Sequence, residues 1–386
     1  MVPKETRWGI LATGGIAETF TKDLQIDPAT RNVQNVKHAV VAAASSSSLS
    51  RAQEFLKTVG APASAKPYGS YAELVKDDNI DIIYVATPHS HHYQNVMLCL
   101  EAGKNVLCER PLPSTQRKPR NSSRRPGKRY FPLSIYVREA ITSGKLGTVI
   151  RVSADNSFGV IPEETFDTGH RMVNPDLAGG ILLDTGIYSL TWVFQTLYLT
   201  QDPKTRKPPH VLSSMQRYPV TGADELTTIL LTFPRDPQEG GDMHATATGG
   251  FRTSNDIDGK GTAGPAVRIQ GTKGEMQVWA PIFRPTRTRL VLKDGTTDDK
   301  NWPQPGPGQG SGWYNGFGAK KNAEGEGHGM FWEADEAATA LLEGRKEGKY
   351  ESLDESVLIM EVMDEVRKQN GLTYPEKIET TERITL

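Results

Sequence analysis

The chain has 386 residues, a formal net charge of −1, and 37% hydrophobic and 24% charged residues. Because a single hydrophobic core rarely grows beyond about 250 residues, this length predicts two domains with a cleft between them. The balanced charge argues against nucleic acid or an anionic membrane as a partner. The sequence shows no apolar signal core and no run of about 18 apolar residues that would span a bilayer. We therefore expect a cytoplasmic protein with a small, neutral or weakly charged ligand.

In the N-terminal part, short β-branched runs alternate with helical periodicity, which predicts a parallel sheet covered by helices. The candidate strands are residues 7–12, 38–44, 80–87 and 105–108. Ser50 with Gln53, and Ser70 with Glu73, have the spacing of a capping box and predict two helix starts. A further helix is predicted over 93–102, ended by Gly103.

The alternation stops at residues 112–128, which contain several prolines and basic residues and no acidic residue. Neither helix nor strand is expected there, because proline lacks the amide donor and the basic side chains repel one another. We hypothesise that a reading-frame or splice-boundary error in the predicted gene produced both this segment and Arg110. An amphipathic helix is predicted next, through Ile135, Val137 and Ala140 up to Gly144.

The rest of the chain predicts a different architecture. The alternating runs 148–153, 226–233, 266–271 and 276–280 indicate strands of a mostly antiparallel sheet. An irregular loop is expected over 302–318, and helices over 332–343 and 353–369. The predicted fold class is thus α/β, with a doubly wound parallel sheet in residues 1–132 and an α+β domain with a large, mostly antiparallel open sheet in residues 133–386.

A turn that follows the first strand and opens the first helix has the spacing of a dinucleotide-binding signature. In the G-x-G-x-x-G pattern the middle glycine lets a pyrophosphate approach the backbone, and the last position must be small so that helix and strand can pack. Gly14 and Ala17 meet these two needs, whereas Ala12 replaces the first glycine. The predicted cofactor-binding residues of this turn are Thr13, Gly14, Gly15 and Ile16.

The end of the second strand favours NADP over NAD. An NAD site usually has an acidic residue there, about 20 residues after the glycines, which binds the ribose hydroxyls. This strand instead ends in a run of serines, with Arg51 close behind. Hydroxyls, helix amides and a guanidinium all suit a 2′-phosphate, so Ser45, Ser46, Ser47 and Arg51 are the candidates. The alternative is that the serines only cap the helix.

Three further motifs, at residues 87–92, 108–111 and 179–188, resemble those of the glucose-fructose oxidoreductase, inositol dehydrogenase and rhizopine-catabolism family. Within it the chain is most similar to the branch of NADP-dependent D-xylose 1-dehydrogenase and dimeric trans-dihydrodiol dehydrogenase. The resemblance implies a Rossmann domain followed by an α/β domain whose open sheet often forms a dimer, so we expect a homodimer.

The resemblance also implies roles for residues at the ends of two strands. Residues 87–92 would line the nicotinamide ribose, and the motif Glu109-Arg110-Pro111 stands where relatives have Glu-Lys-Pro. The implied cofactor-binding residues are Thr87, Pro88, His89, His92 and Glu109. Arg110 replaces a catalytic lysine and keeps its charge, but its planar fork is larger, which predicts impaired activity. A metal at the histidines is not expected, since no carboxylate or cysteine pattern accompanies them.

Asp184 and Tyr188 lie four positions apart and would share one helix face. The resemblance implies that Tyr188 donates or accepts the proton and that Asp184 helps to orient Tyr188 or the substrate. Because the ordinary pKa of tyrosine is about 10, a cation such as Arg110 must assist. The alternative is a buried structural tyrosine. Arg171 is a candidate for binding substrate hydroxyls, or else forms a surface ion pair.

These residues predict an NADP-dependent dehydrogenase that moves a hydride between a sugar, such as C1 of a D-xylose-like aldose, or a trans-dihydrodiol and the nicotinamide. The alternative is a catalytically impaired NADP-binding paralogue with a regulatory or sensing role. Arg110 favours the alternative, whereas Asp184 and Tyr188 favour the enzyme.

Overall fold

The computed structural model describes residues 2–109, 122–124, 127–315, 324–380 and 382. The chain divides into two compact units. The first consists of Met1–Tyr130, Pro303–Ser356 and Thr380–Leu386, and the second of Phe131–Trp302 and Val357–Glu379. None of the helices in the described ranges combines the length and the hydropathy that a membrane span requires.

The first unit contains a parallel sheet with helices on both faces. Its strands are β1 (Lys4–Leu11), β2 (Val36–Ala44), β3 (Lys66–Tyr68), β4 (Ile82–Val85), β5 (Asn105–Cys108) and β6 (Ser122–Arg124). The helices between them are α1 (Gly15–Leu24), α2 (Leu49–Thr58), α3 (Tyr71–Leu74) and α4 (His92–Glu101). The strand order is β3-β2-β1-β4-β5-β6, which reverses direction between β1 and β4. Ligands of doubly wound sheets bind at such a switch point, beyond the carboxyl ends of the strands.

The four strands predicted in this unit are confirmed as β1, β2, β4 and β5, within a few residues at each end. Strand β3 was not predicted, because it is short and contains Pro67. It lies at the edge of the sheet, where a residue without an amide donor is tolerated. The predicted helix over 93–102 is confirmed as α4, and Gly103 follows it with a left-handed φ of 74°.

One of the two predicted helix starts is wrong. Helix α2 begins at Leu49 and its cap is Ser48, which has extended backbone and accepts a hydrogen bond from the Arg51 amide at 3.3 Å. Ser50 is already inside the helix, so it does not cap it. The start at Ser70 is confirmed, since its Oγ accepts a hydrogen bond from the Glu73 amide at 3.2 Å.

The expectation of no regular structure in 112–128 is wrong where this segment is described. Ser122–Arg124 forms β6 and pairs in parallel with β5, and a 3₁₀ turn begins at Gly127. The edge of β5 offers unpaired amide and carbonyl groups, and a short strand can satisfy them whatever its side chains. Residues 110–121 and 125–126, including Arg110, lie outside the described residues.

The second unit is built on an eight-stranded sheet. The helices before and around its first strands are α5 (Pro132–Thr142), α6 (Pro162–Thr165) and α7 (Ile187–Val193), and α7 lies between the π-helical turns Leu182–Gly186 and Phe194–Tyr198. The strands are β7 (Val149–Asp155), β8 (His210–Arg217), β9 (Asp224–Phe233), β10 (Met243–Gly250), β11 (Val267–Gly271), β12 (Gly274–Val278), β13 (Arg287–Leu292) and β14 (Thr297–Asn301).

These strands follow the order β14-β13-β12-β11-β7-β10-β9-β8, and every pair except β7 with β10 is antiparallel. The predicted open, mostly antiparallel sheet is therefore confirmed. Burial alternates along β9, with Ile229, Leu231 and Phe233 inside, as expected for a sheet with one solvated face. Helix α7 packs on the inner face and contributes Trp192 to the core.

The C-terminal part contains α8 (Phe331–Leu342), α9 (Leu353–Gln369) and α10 (Glu376–Glu379), and the two predicted helices are confirmed as α8 and α9. Residues 133–386 are predicted from the sequence to form one domain, whereas Pro303–Ser356 is part of the first unit. The physical reason is that α8 buries Ala334 and Ala337 in the same core as Trp8 and Phe20. In its described part, 302–315, the predicted irregular loop contains neither helix nor strand.

Candidate active site

The turn after β1 presents backbone toward open space. Ala12 has a left-handed φ of 97°, a conformation that glycine adopts with less strain, and its amide donates to the Ala44 carbonyl at 3.1 Å. Gly14 precedes α1 with extended backbone, and a Cβ placed there would meet no described atom within 4 Å. As the cap residue, Gly14 has no side chain that could bind the first amides of α1. The amides at this helix start, which carry a partial positive charge, therefore fit a phosphate group.

A pocket of about 330 Å³ lies beside this turn. Its lining residues are Thr13, Gly14, Glu18, Arg51, Glu54, Phe55 and Thr58. The fold thus brings Arg51 of α2 next to the turn at the start of α1. Glu18 of this pocket is paired with Lys22, with Nζ and Oε1 2.5 Å apart.

The serines after β2 have different roles. Ser48 caps α2, whereas the hydroxyls of Ser45 and Ser47 make other contacts. Ser47 Oγ instead accepts a hydrogen bond from Arg51 Nη1 at 3.4 Å, and lies 3.1 Å from the Oγ of the buried Ser45. The Tyr71 hydroxyl is hydrogen-bonded to Ser46, although burial still raises the pKa of this tyrosine. Ser47 and Arg51 are therefore already placed side by side.

The segment after β4 is fixed by α4. His92 is fully buried, and its Nε2 donates to the Thr87 carbonyl at 2.6 Å. Asn95 Nδ2 donates to Thr87 Oγ1 at 3.3 Å. The ring of the partly exposed His89 lies 5.7 Å from that of His92, and the exposed Pro88 precedes it. Within the described ranges no group of His, Cys, Asp and Glu side chains has the arrangement of a metal site.

Glu109 directly follows β5 and is held by β4. Its amide donates to the Val85 carbonyl at 3.0 Å, and its carboxylate accepts a hydrogen bond from the Tyr84 hydroxyl. Tyr84 is buried and stacks on Phe20, with ring centroids 3.7 Å apart. Burial and the carboxylates of Glu109 and Glu333 raise the pKa of Tyr84 well above its ordinary value, so this hydroxyl stays a donor. Sequence reasoning missed Tyr84.

In the second unit, Asp184 and Tyr188 share one accessible face. Both are partly exposed, whereas the neighbouring residues Leu182–Leu183 and Thr185–Ile187 are buried. Asp184 lies in the first π turn and Tyr188 in α7, with its ring centroid 5.9 Å from that of Phe283. Arg171 Nη1 donates to Asp184 Oδ1 at 2.8 Å. Arg171 therefore does form an ion pair, and its partner is Asp184, which is itself a candidate site residue.

The predicted residues thus form two groups, each within one unit. The group of the first unit follows the carboxyl ends of its strands and comprises residues 13–16, 45–47, Arg51, 87–89, His92 and Glu109. The group of the second unit comprises Arg171, Asp184 and Tyr188.

The strand order, the open helix start at Gly14 and the second, open-sheet unit define the class: a Rossmann-type dinucleotide-binding protein of two units. Residues 6–120 match the family model described as "Oxidoreductase family, NAD-binding Rossmann fold". Residues 135–277 match the model described as "GFO/IDH/MocA C-terminal domain". The chain therefore belongs to the GFO/IDH/MocA oxidoreductase family, as its motifs predicted.

Its curated relatives include D-xylose 1-dehydrogenase (NADP(+)) of Hypocrea jecorina, which is 48% identical over 98% of this chain and 95% of the relative. Trans-1,2-dihydrobenzene-1,2-diol dehydrogenase of Bos taurus is 33% identical over 96% of this chain and 98% of the relative. Among solved structures, aldose-aldose oxidoreductase from Caulobacter crescentus, complexed with glycerol, superposes with a TM-score of 0.70 at 20% identity. That match covers 95% of this chain and 97% of the other and supports the fold.

Proposed function

We propose that this protein is an NADP-dependent dehydrogenase that oxidises C1 of a D-xylose-like aldose, or a trans-dihydrodiol. The observation that carries the proposal is the accessible face shared by Asp184 and Tyr188, with Arg171 bound to Asp184. The high identity to an NADP-dependent xylose dehydrogenase over nearly the whole chain supports the same substrate class.

The residues of the first unit fit the cofactor. The amides at the start of α1 suit the pyrophosphate, since the cap residue Gly14 has no side chain to bind them and no described atom lies within 4 Å of where its Cβ would be. Arg51 and Ser47 suit the 2′-phosphate of NADP, because a guanidinium and a hydroxyl both donate to phosphate oxygens. The run after β2 has no carboxylate to accept the ribose hydroxyls of NAD, so NADP is preferred.

The residues of the second unit handle the substrate. NADP supplies the hydride acceptor when it is bound. Tyr188 would remove the proton from the substrate hydroxyl, for which it needs a nearby cation to lower its pKa from about 10. Arg110, beyond the described residues, would supply that charge. Asp184, oriented by Arg171, would position the substrate hydroxyls or Tyr188.

The wider organisation completes the proposal. The first unit would bind the dinucleotide, and the second unit, Phe131–Trp302 with Val357–Glu379, would bind substrate and form a homodimer. The solvated side of β8 and β9 exposes three leucines to varying degrees, Leu212, Leu226 and Leu230, and Leu212 lies opposite Leu230. Such an apolar patch suits an isologous contact between two copies. A cytoplasmic location agrees with the two cysteines of the chain, Cys99 and Cys108, both being buried thiols.

The experiment is a substrate panel on the purified protein, in which NADPH formation is followed by absorbance with D-xylose, other aldoses and trans-dihydrodiols. Cofactor affinity is measured in parallel by titration. We expect NADP-dependent turnover of at least one of these substrates. Binding of NADP without any turnover would favour the impaired paralogue instead, and a folded protein that binds neither NADP nor NAD would refute the proposal. Light scattering tests the dimer.

A further inference from the structure

A buried carboxylate lies at the start of the helical segment that carries Asp184 and Tyr188. Asp224 opens β9 and is fully buried. Its Oδ2 accepts a hydrogen bond from the Leu182 amide at 2.7 Å and another from Thr227 Oγ1 at 2.9 Å. Leu182 is the first residue of the π turn that contains Asp184. Asp224 therefore binds an amide that the helical segment itself leaves unsatisfied at its start.

Two glycines allow this close approach. Gly180 has φ 131°, and a Cβ there would overlap the Asp224 carboxylate. A Cβ at Gly179 would lie 2.5 Å from the Arg171 carbonyl oxygen and 2.8 Å from the Asn174 amide nitrogen. The segment with Arg171 is thus packed against Gly179, and Asp224 is packed against Gly180, which lies four residues before Asp184. A shift of the glycine pair would therefore move the segments that carry Arg171 and Asp184 together.

Among the described residues, the titratable groups that act on the charge of Asp224 include Arg217 of β8 and Tyr374, which follows α9. The Arg217 guanidinium donates to the carbonyls of Gly222 and Asn370, and burial raises the pKa of Tyr374 far above its ordinary value, so it stays neutral. Burial raises the pKa of Asp224 to about 6, against the hydrogen bonds from Leu182 and Thr227, which lower it.

We propose that Asp224 is a positioning residue, whose ionised carboxylate fixes the start of the π turn and thereby holds Asp184 and Tyr188 in their working positions. This inference rests on the proposed function of these two residues. Protonation of Asp224 weakens its bond to the Leu182 amide, because a hydrogen bond to a charged acceptor is stronger than one to a neutral acceptor. Turnover therefore decreases as the solution becomes acidic, through a group that does not touch the substrate.

The first test compares the pH profiles of kcat and of KM for NADP in the wild type and Asp224→Asn. In the wild type, kcat is expected to decrease as the pH falls, with an apparent pKa of about 6. This decrease is the acid limb of the pH profile. Asp224→Asn is expected to lower kcat at pH 8 about tenfold, the effect of one charge-assisted hydrogen bond, with KM for NADP unchanged and the acid limb absent. An unchanged kcat with the same acid limb would overturn the inference.

Two controls separate positioning from general damage. Asp236→Asn removes an exposed carboxylate that also accepts a backbone hydrogen bond, from the Gln238 amide at 2.7 Å, and is expected to keep the wild-type profile. Ile229→Val weakens the core of the same strand and is expected to lower stability without moving the acid limb. If either control changes the limb as Asp224→Asn does, the positioning role is refuted.

Because Asp224→Asn can fail to fold, Thr227→Val provides a milder variant. It removes a hydrogen bond that favours the ionised carboxylate, so the acid limb is expected to move to higher pH. A limb that stays in place, or moves to lower pH, contradicts the inference.

A second measurement does not need activity. In protein labelled with ¹⁵N-leucine, the amide shift of Leu182 is expected to titrate with a midpoint of about pH 6, and to lose this titration in Asp224→Asn. If the wild type turns over no substrate, the proposed function fails. The titration of the Leu182 amide still tests whether Asp224 holds the start of the π turn. A pH-independent Leu182 amide in the wild type would overturn the inference even in an active enzyme.

Discussion

Arg31 and Asp335 form a two-point ion pair although 304 positions separate them, with Nε to Oδ2 at 2.6 Å and Nη2 to Oδ1 at 2.7 Å. His38 Nε2 lies 2.9 Å from Asp335 Oδ1, and the Trp8 indole nitrogen lies 3.1 Å from His38 Nδ1. Because an indole nitrogen can only donate, His38 Nδ1 must accept and its proton lies on Nε2, facing the carboxylate. This network ties α8 to the parallel sheet of the first unit.

Removing one member of this network is expected to destabilise the first unit. Asp335→Asn leaves the Arg31 charge buried without its counter-charge, which predicts a loss of about 3–5 kcal/mol in the free energy of unfolding. The measurement is urea unfolding at pH 7. The control is Lys37→Ala, which breaks the exposed pair with Glu5 at 3.8 Å and is expected to cost less than about 1 kcal/mol. Equal losses in both variants would contradict the prediction.

The same substitution predicts a pH dependence. Burial acts to raise the pKa of Asp335, but hydrogen bonds from Arg31 and His38 outweigh it and hold the pKa below its ordinary value. A carboxyl whose pKa is lowered on folding stabilises the protein above its unfolded pKa of about 4, and this contribution is lost as the pH falls through the folded value. The difference between the wild type and Asp335→Asn is therefore expected to shrink below about pH 4.

Arg51→Ala is expected to weaken NADP binding about 10- to 100-fold and to leave NAD binding nearly unchanged. The reason is the loss of a charged donor to the 2′-phosphate, worth about 1.5–3 kcal/mol. Fluorescence titration with both cofactors measures it. Lys57→Ala, at the other end of α2, is the matched control, since it also removes one exposed positive charge. Equal losses for NADP and NAD would place Arg51 elsewhere than at the 2′-phosphate.

Arg171→Ala is expected to lower kcat/KM for the sugar at least tenfold with little change in stability, since this pair is partly exposed. Arg171→Lys keeps the charge but loses the planar fork, and an intermediate loss is expected. Steady-state kinetics and thermal unfolding measure the two effects. If Arg171→Ala retains full activity, the ion pair with Asp184 is only a surface contact.

Tyr84→Phe tests whether Glu109 must be held in place. The substitution keeps the stacking on Phe20 but removes the hydroxyl that donates to Glu109, so we expect a several-fold rise in the dissociation constant of NADP, corresponding to about 1 kcal/mol. Tyr68→Phe removes a comparable bond, from its hydroxyl to Asp77 Oδ2 at 2.8 Å, and is expected to leave cofactor affinity unchanged. Identical affinities in both variants would show that Glu109 needs no support from Tyr84.

Arg110→Lys is expected to raise kcat, about tenfold or more, because it restores the compact ammonium of the family motif in place of a larger, planar guanidinium. NADP affinity is expected to change little. The measurement is kcat with the best substrate of the panel, beside NADP titration. If the lysine variant is no more active than the wild type, arginine at this position is fully competent, and the impaired paralogue loses its main support.

Much of the fold could be predicted because its signals are local. Hydrophobic periodicity and glycine positions identified β1, β2, β4 and β5 and the helices α4, α8 and α9. The turn at Gly14 could be identified because its role depends on adjacent residues in one short stretch. Strand β3 and the cap at Ser48 were missed for the opposite reason: an edge strand tolerates proline, and the choice among adjacent serines depends on backbone angles that composition does not determine.

What the sequence determined by itself was most of the order of strands and helices along the chain, the family, and candidate residues that lie within one motif, such as Asp184 and Tyr188. Only the tertiary structure decided which distant groups come into contact. Asp224 lies 42 positions from Leu182 and Asp335 lies 304 positions from Arg31, yet each pair is joined by hydrogen bonds in a buried environment. Such contacts arise from the packing of whole layers, and burial then determines their strength and pKa, which no local pattern encodes.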